Sequence, residues 1–401
     1  MNLVTPNFKD PEFLMKHIFE TVNFYSTRCI DTSFGGFINC FLDDGTICDY
    51  TTKHLVGLSR FIYIFSIATI LGDSNRFRHL VEHGLKFLQD HQRDHKNGGY
   101  YWILEGQCIK DSTKKAYGHA FALLASSTAY KAGIANAGKI IDEIIDVLDT
   151  HFWREPDGLY VDEISADWKS VSPYRGQNAN MHMCEAMMAA FDATGKKHYL
   201  DRAHRIAHSI MFKLLPQSGN LIWEHYNEEW KIDWNYNKDY TKSEFRPYGY
   251  VIGHSIEWSK LLQNLEKYKP ESWMFPYAEK LFHHAINIGF DRKQGGIFNI
   301  MAPTGEIIDT DKLYWVMAET IGASALFAAK TNHSTYWNFY QQIFEYSWNY
   351  FIDQKRGGWY QLLNQNNQKY SNIKSPPPKT DYHPITNCVT ALNAFHELKL
   401  T

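Results

Sequence analysis

The chain has 401 residues, 44% of them hydrophobic and 21% charged, with a net charge of −3. That balance is ordinary for a soluble globular protein, and without a long basic run it excludes nucleic acid and anionic membrane surfaces as partners. No apolar stretch approaches the roughly twenty residues that span a bilayer, and the first ten residues lack the charged-then-apolar plan of a secretion signal.

In chain order, apolar periodicity predicts helices over 11–28, 54–71, 75–91, 114–132, 136–152, 178–194, 197–213, 252–266, 271–288, 314–330, 333–351 and 384–398. Short polar joints such as Leu71-Gly72-Asp73-Ser74 and Lys330-Thr331-Asn332-His333 force successive helices to run antiparallel. The segments alternate in character. One kind, exemplified by Ala120-Phe121-Ala122-Leu123-Leu124-Ala125, is apolar nearly all round and predicts burial on most sides. The other, exemplified by Asp201-Arg202-Ala203-His204-Arg205-Ile206-Ala207, mixes charge with apolar residues at helical spacing and predicts one solvent face.

Six glycine-led turns punctuate the pairs: Gly35-Gly36-Phe37, Gly98-Gly99-Tyr100, Gly158-Leu159-Tyr160, Gly219-Asn220-Leu221, Gly295-Gly296-Ile297 and Gly357-Gly358-Trp359. Such self-similarity marks one supersecondary unit used repeatedly. The expected fold class is therefore all-α: an (α/α)6 barrel of six inner and six outer helices, with short β-hairpins in the connecting loops. No linker or composition shift divides the chain, so residues 1–401 are expected to form a single domain. Six cysteines show no CxxC pair, which predicts free thiols and a cytoplasmic protein. The segment 227–246, rich in Trp, Tyr, Asp and Lys, reads as a lid over the barrel or an oligomer contact. The sequence is compatible with a homo-oligomer.

The starts of the apolar helices carry polar residues: His54 and Arg60; His119; Asn178, Asn180, His182 and Glu185; His254 and Glu257; Trp315 and Glu319; and His383 just ahead of the last. If the inner helices run parallel, these side chains meet at one mouth of the barrel. Buried histidines often do no more than satisfy backbone carbonyls, but five in equivalent places point to proton transfer near neutral pH. His204 and His208 have a metal-compatible i, i+4 spacing, but the sequence places no carboxylate or cysteine with them. No GxGxxG, phosphate loop, GxSxG or CxxC motif is present, which argues against nucleotide, hydride-transfer and serine-hydrolase chemistry.

The stretch Tyr174-Arg175-Gly176-Gln177-Asn178-Ala179-Asn180-Met181-His182, with Tyr117-Gly118-His119, Glu224-His225-Tyr226, Gly253-His254-Ser255-Ile256-Glu257-Trp258 and Asp381-Tyr382-His383, resembles the N-acylglucosamine 2-epimerase superfamily. The resemblance covers nearly the whole chain and is greater to the aldose–ketose isomerase branch, the mannose and sulfoquinovose isomerases. It implies proton transfer through a cis-enediol without a cofactor or metal, on a monosaccharide such as mannose, fructose or lyxose. By the same resemblance His254 and His383 are the acid/base pair, Arg60, Asn178, His182 and Glu257 contact the sugar, and Trp315 packs against it. His119 is a further expected substrate contact, and Glu257 is expected to orient the His254 imidazole. Mannose is favoured over a sulfosugar because Glu244 would oppose an anion, although Arg246 and Lys379 could serve one. A 2-epimerase needs most of the same parts. A glycoside hydrolase would instead use two of Glu185, Glu224, Glu257 and Glu319, and a non-catalytic sugar binder on this scaffold is the remaining reading.

Overall fold

In the computed structural model the described residues are 5–398, apart from Asp73, Asn220, Thr241, Lys242 and Glu244. The joint residue Asp73, the turn residue Asn220 and the anion-opposing Glu244 of the sequence analysis lie outside them. The outer helices are α1 (Pro11–Ser26), α3 (Ser74–Phe87), α5 (Ala137–Val147), α7 (Lys197–Ser209), α10 (Met274–Gly289) and α12 (Ser334–Tyr350). The inner ones are α2 (Leu55–Leu71), α4 (Ala116–Lys131), α6 (Gln177–Thr194), α9 (Ile252–Tyr268), α11 (Tyr314–Thr331) and α13 (Tyr382–Leu398); α8 (Leu215–Ser218) is a single turn. Each inner helix packs on its neighbours in the order α2, α4, α6, α9, α11, α13, and α13 returns to α2 to close the ring. The (α/α)6 barrel read from the sequence is the fold observed.

Composition explains the layering. In α2 every residue from Leu55 to Ser66 is buried, whereas α5 buries only Ala137, Ile140, Ile141, Ile144 and Ile145, a single stripe at helical spacing. Three outer helices, α3, α5 and α7, run on through a wide turn of i→i+5 hydrogen bonds, at Leu88–Gln92, Leu148–Phe152 and Ile210–Leu214. These turns account for the longer spans expected there from periodicity. No helix among the described residues is long and apolar enough to cross a membrane.

The loops entering the inner helices are tied into a belt. The strand segment before each inner helix pairs antiparallel with a segment of the next loop: Thr52–His54 with Ile103–Glu105, Lys114–Lys115 with Glu163–Ile164, Arg175–Gly176 with His225–Tyr226, and Tyr250–Val251 with Ile300–Met301. Lys312–Leu313 with Leu362–Leu363 follows, and Ile373–Ser375 with Cys40–Leu42 closes the circle. These short ladders hold six helix N-termini at one rim.

Beneath the belt, four of the glycine turns share one device. Asp31, Asp94, Asp291 and Asp353 each accept hydrogen bonds from the two backbone N–H groups two and three residues on. The paired glycines that end each turn have φ between +64° and +80°, which any side chain would strain. The second oxygen of each aspartate faces a buried lysine: Lys53 at 2.5 Å, Lys114 at 2.7 Å, Lys312 at 2.9 Å and Lys374 at 2.7 Å. Each lysine sits in the strand segment that leads to an inner helix, so the pairs bolt the turns to the rim.

One sequence expectation fails here. Cys40 and Cys48 form a disulfide across the hairpin of Cys40–Leu42 and Ile47–Asp49, while Cys29, Cys108, Cys184 and Cys388 are free thiols. The lack of a CxxC pair suggested free thiols, but the hairpin folds the two Cα atoms to 5.4 Å.

Candidate active site

The inner-helix N-termini open into a cavity of about 410 Å³, within the usual range for small-molecule sites. Of the residues expected there, Arg60, Asn178, His182, His254, Glu257, Trp315 and His383 line it together. His119 does not. Its ring accepts from the Tyr100 N–H at 3.2 Å through Nε2 and meets the Lys115 carbonyl at 2.7 Å through Nδ1, and the side chain is fully buried. It is the backbone-satisfying kind of histidine, stapling a glycine turn to α4. His54 has a similar task, capping α2 through the Val56 N–H. Burial lowers the His119 imidazole to about 4 and that of His54 to about 3, so both stay neutral.

Two imidazoles are backed by carboxylates. His254 Nδ1 lies 3.0 Å from both oxygens of Glu224, and the amide of Gln177 reaches Glu224 Oε2 at 2.9 Å. Gln177 is itself held by the Trp258 indole N–H at 2.7 Å. His383 Nδ1 lies 2.7 Å from Glu319 Oε1. An Nδ1–H donating to a carboxylate leaves the Nε2 lone pair of each ring available. Burial, only partly offset by Glu319, lowers the His383 imidazole to about 3, which keeps it neutral and basic in form at neutral pH.

The partner of His254 corrects the sequence reading, which gave that part to Glu257. Helical spacing put Glu257 near His254, but the two side chains make no hydrogen bond. Glu224, brought in by the ladder between Arg175–Gly176 and His225–Tyr226, takes the place instead. Neither Glu257 oxygen has a hydrogen-bond partner among the described residues, and His182 Nδ1 lies 3.9 Å from Oε1. Burial and then Glu319 push its carboxyl well above the usual range, which favours the neutral acid facing the cavity.

Trp315 spans the pair: its ring centroid is 5.1 Å from that of His254 and 5.7 Å from that of His383. Gly253 makes this possible, because a Cβ there would sit 2.6 Å from the indole. Arg60 NH1 donates to the Pro378 carbonyl at 2.5 Å and NH2 approaches His383 Nε2 at 3.4 Å, and its guanidinium stacks over Phe121 and Tyr382. Asn178 Oδ1 has no hydrogen-bond partner among the described residues. Asn180, by contrast, is spent on both backbone groups of Tyr160. Ser243, Phe245 and Pro247, at and just beyond the end of the segment suspected as a lid, form part of the cavity wall.

Just ahead of His383, Thr380 and Asp381 both adopt positive φ, +49° and +51°. Asp381 is locked there by the Tyr25 hydroxyl, the Trp359 N–H and the Lys379 ammonium. Two trios, His182 with Glu185 and Glu257, and Glu257 with Glu319 and His383, have donor atoms within 4.8 Å of one another, a spacing a divalent cation could bridge. His204 and His208 remain on an outer helix, with His204 paired to Glu271 at 3.3 Å.

Sequence reasoning missed Gln177, Lys260 and Asn387 as parts of the site. One signal was available: His254, Glu257 and Lys260 recur every three residues on a helix that is otherwise deeply buried.

An (α/α)6 barrel whose inner rim presents two carboxylate-backed imidazoles to a sugar-sized cavity defines an enzyme of the sugar epimerase and isomerase class. The chain belongs to the N-acylglucosamine 2-epimerase (GlcNAc 2-epimerase) family, whose sequence profile matches residues 36–387. It is 46% identical to a D-mannose isomerase of Marinomonas mediterranea over 97% of this chain and 99% of that one. A D-mannose isomerase of Thermobifida fusca is 34% identical over 75% of this chain and 73% of that protein. A crystal structure of D-mannose isomerase superposes with a TM-score of 0.94 at 46% identity, covering 97% of this chain and 99% of that one.

Proposed function

We propose that this chain is an aldose–ketose isomerase that interconverts D-mannose and D-fructose through a cis-enediol, with the whole chain acting as one catalytic domain. The observation that carries the reading is the pair of imidazoles, His254 and His383, each backed by a glutamate and both set against Trp315. The near-full-length similarity to D-mannose isomerases supports the choice of substrate.

The sugar opens to its aldehyde, with His383 moving the ring-opening protons. His254 Nε2 then takes the proton from C2. The electron pair left at C2 forms the C1–C2 double bond and the aldehyde oxygen becomes an enediolate, next to Arg60, whose positive charge stabilises it. The same imidazole returns the proton to C1 on the same face, while the C2 hydroxyl passes its proton to the C1 oxygen, so that C2 becomes the ketone and C1 carries the hydroxyl. Glu224 supports the imidazolium that exists between the two transfers. Asn178, His182 and Glu257 hold sugar hydroxyls, and Trp315 packs against the carbon skeleton.

A sulfosugar would call on the cations Arg246 and Lys379. Arg246 is paired with Glu163 at 2.8 Å, and Lys379 is bound to Asp381, so each already has its anion. A hydrolase would need two carboxyl groups poised on the bond, but Glu224 and Glu319 serve histidines and Glu185 accepts from Tyr382. Incubation with mannose, glucose, lyxose, cellobiose and sulfoquinovose, with ketose and epimer read separately by NMR, tests the reading. Fructose from mannose is expected; glucose as the main product, or turnover of sulfoquinovose alone, would overturn it.

A further inference from the structure

Lys260 is a cation sealed beneath the site. It lies on α9, 1% exposed, and does not line the cavity. Its ammonium sits 2.5 Å from Glu319 Oε2. The other oxygen of Glu319 receives His383 Nδ1 at 2.7 Å and the Asn387 amide at 2.7 Å, and that amide also reaches the His383 carbonyl at 2.9 Å. Room for Asn387 comes from Gly322, where a Cβ would fall 1.9 Å from the amide oxygen. Lys260, Glu319 and His383 therefore form one chain of contacts from a sealed cation to the rim of the cavity.

We propose that Lys260 is a positioning residue for the isomerisation: its ammonium keeps Glu319 a carboxylate, which holds the proton of His383 on Nδ1 and leaves the Nε2 lone pair on the cavity side, where Arg60 approaches it. This rests on the isomerase reading above. Burial pushes a carboxyl with no cation in contact upward, toward its protonated form, as at the adjacent Glu257. Burial would likewise raise Glu319, but Lys260 and His383 outweigh it and hold that carboxyl below its ordinary range. A protonated Glu319 could donate to Nδ1, moving the imidazole proton to Nε2 and removing the basic lone pair.

The other groups facing this cluster come from four helices. Glu257 shares α9, Glu185 and His182 come from α6, Arg60 and Tyr63 from α2, and Tyr382 from α13. Glu185 is the one other carboxylate held low. Burial opposes that, but His182 and Lys260 prevail. Arg60, over the rings of Phe121 and Tyr382, reaches His383 from the Nε2 side, so it does not replace Lys260 as the partner of Glu319.

The test compares Lys260→Met, Glu319→Gln and the double variant on mannose, with folding checked by circular dichroism. Lys260→Met is expected to lower kcat by about 10²-fold or more, the usual worth of a well-placed base, with KM changed less than about threefold. The acid limb of its pH–rate profile should move upward, and the double variant should be no slower than Glu319→Gln alone. Unchanged kcat, or losses that multiply in the double variant, would overturn the proposal. In case Lys260→Met does not fold, imidazole NMR of the wild-type protein supplies a second readout. The His383 ring must carry its proton on Nδ1 at neutral pH, and an Nε2–H tautomer or an imidazolium there would equally overturn it. If the wild-type protein leaves mannose untouched while the Nδ1–H tautomer is observed, the functional reading fails and the Lys260 linkage stands.

Discussion

Replacing Glu224 with Gln removes one charge and little volume, and it separates the structure's assignment from the one helical spacing suggested. Both carboxylate oxygens lie 3.0 Å from His254 Nδ1, so the wild-type pair fixes the Nδ1–H tautomer and stabilises the imidazolium formed when C2 loses its proton. A glutamine presents an NH2 that can donate to Nδ1, which places the proton on Nε2 and leaves no lone pair for C2. The analogous carboxylate-to-amide change behind a catalytic histidine costs about 10⁴ in kcat in serine proteases. A loss of about 10³–10⁴ is therefore expected here, or roughly 4–5.5 kcal/mol of barrier. Glu257→Gln is the control. Glu257 is pushed toward its neutral form by burial and does not bond His254, so its amide should cost about 10²-fold at most and act mainly through KM. Initial rates of fructose formation decide the matter. A Glu224→Gln variant within tenfold of wild type, or slower turnover in Glu257→Gln than in Glu224→Gln, would refute the reasoning.

Four further outcomes follow from the geometry. His254→Ala and His383→Ala should each lose nearly all turnover while circular dichroism stays native. Lys114→Met should destabilise the fold by about 3–5 kcal/mol in denaturant titration, because it strands Asp94 in a buried site, whereas Lys86→Met, in an exposed pair with Asp90, should cost under about 1 kcal/mol. The buried rings of His17, His54, His119 and His383 are all lowered in the fold, to between about 3 and about 4, so the unfolded chain binds their protons first. Stability should therefore fall as pH drops from about 6.5 toward 4, by about 1.4 kcal/mol per pH unit for each such ring, and a flat thermal midpoint across that window would contradict it. Finally, alkylation of the denatured, unreduced chain should modify four cysteines and spare Cys40 and Cys48.

The barrel was legible in the sequence because the all-apolar and one-sided helices alternate strictly, and because the glycine turns recur between them. The rim residues were legible for the same reason: Arg60, Asn178, His182, His254 and Trp315 all lie near inner-helix starts, so knowing the helix placed the side chain. His119 also lies near such a start, and sequence could not show that its ring turns back to Tyr100 and Lys115 rather than inward. The partner of His254 was misread because a ladder between separate loops, not helical periodicity, delivers Glu224. The lysine–aspartate bolts were hidden similarly. Each joins residues about twenty apart across a turn, and a buried lysine looks like a solvated one until its surroundings are known. The Cys40–Cys48 bond depends on a hairpin whose strands are only three residues long, too short for periodicity to announce.

The account stands on one imidazole carrying the C2 proton of an open-chain mannose to C1. Mannose deuterated at C2, followed by NMR in ordinary water, tests that most directly. Fructose should form with part of the deuterium at C1 and the rest lost to solvent, and His254→Ala should form none. Glucose as the principal product, or deuterium that stays at C2 while the substrate is consumed, would contradict it.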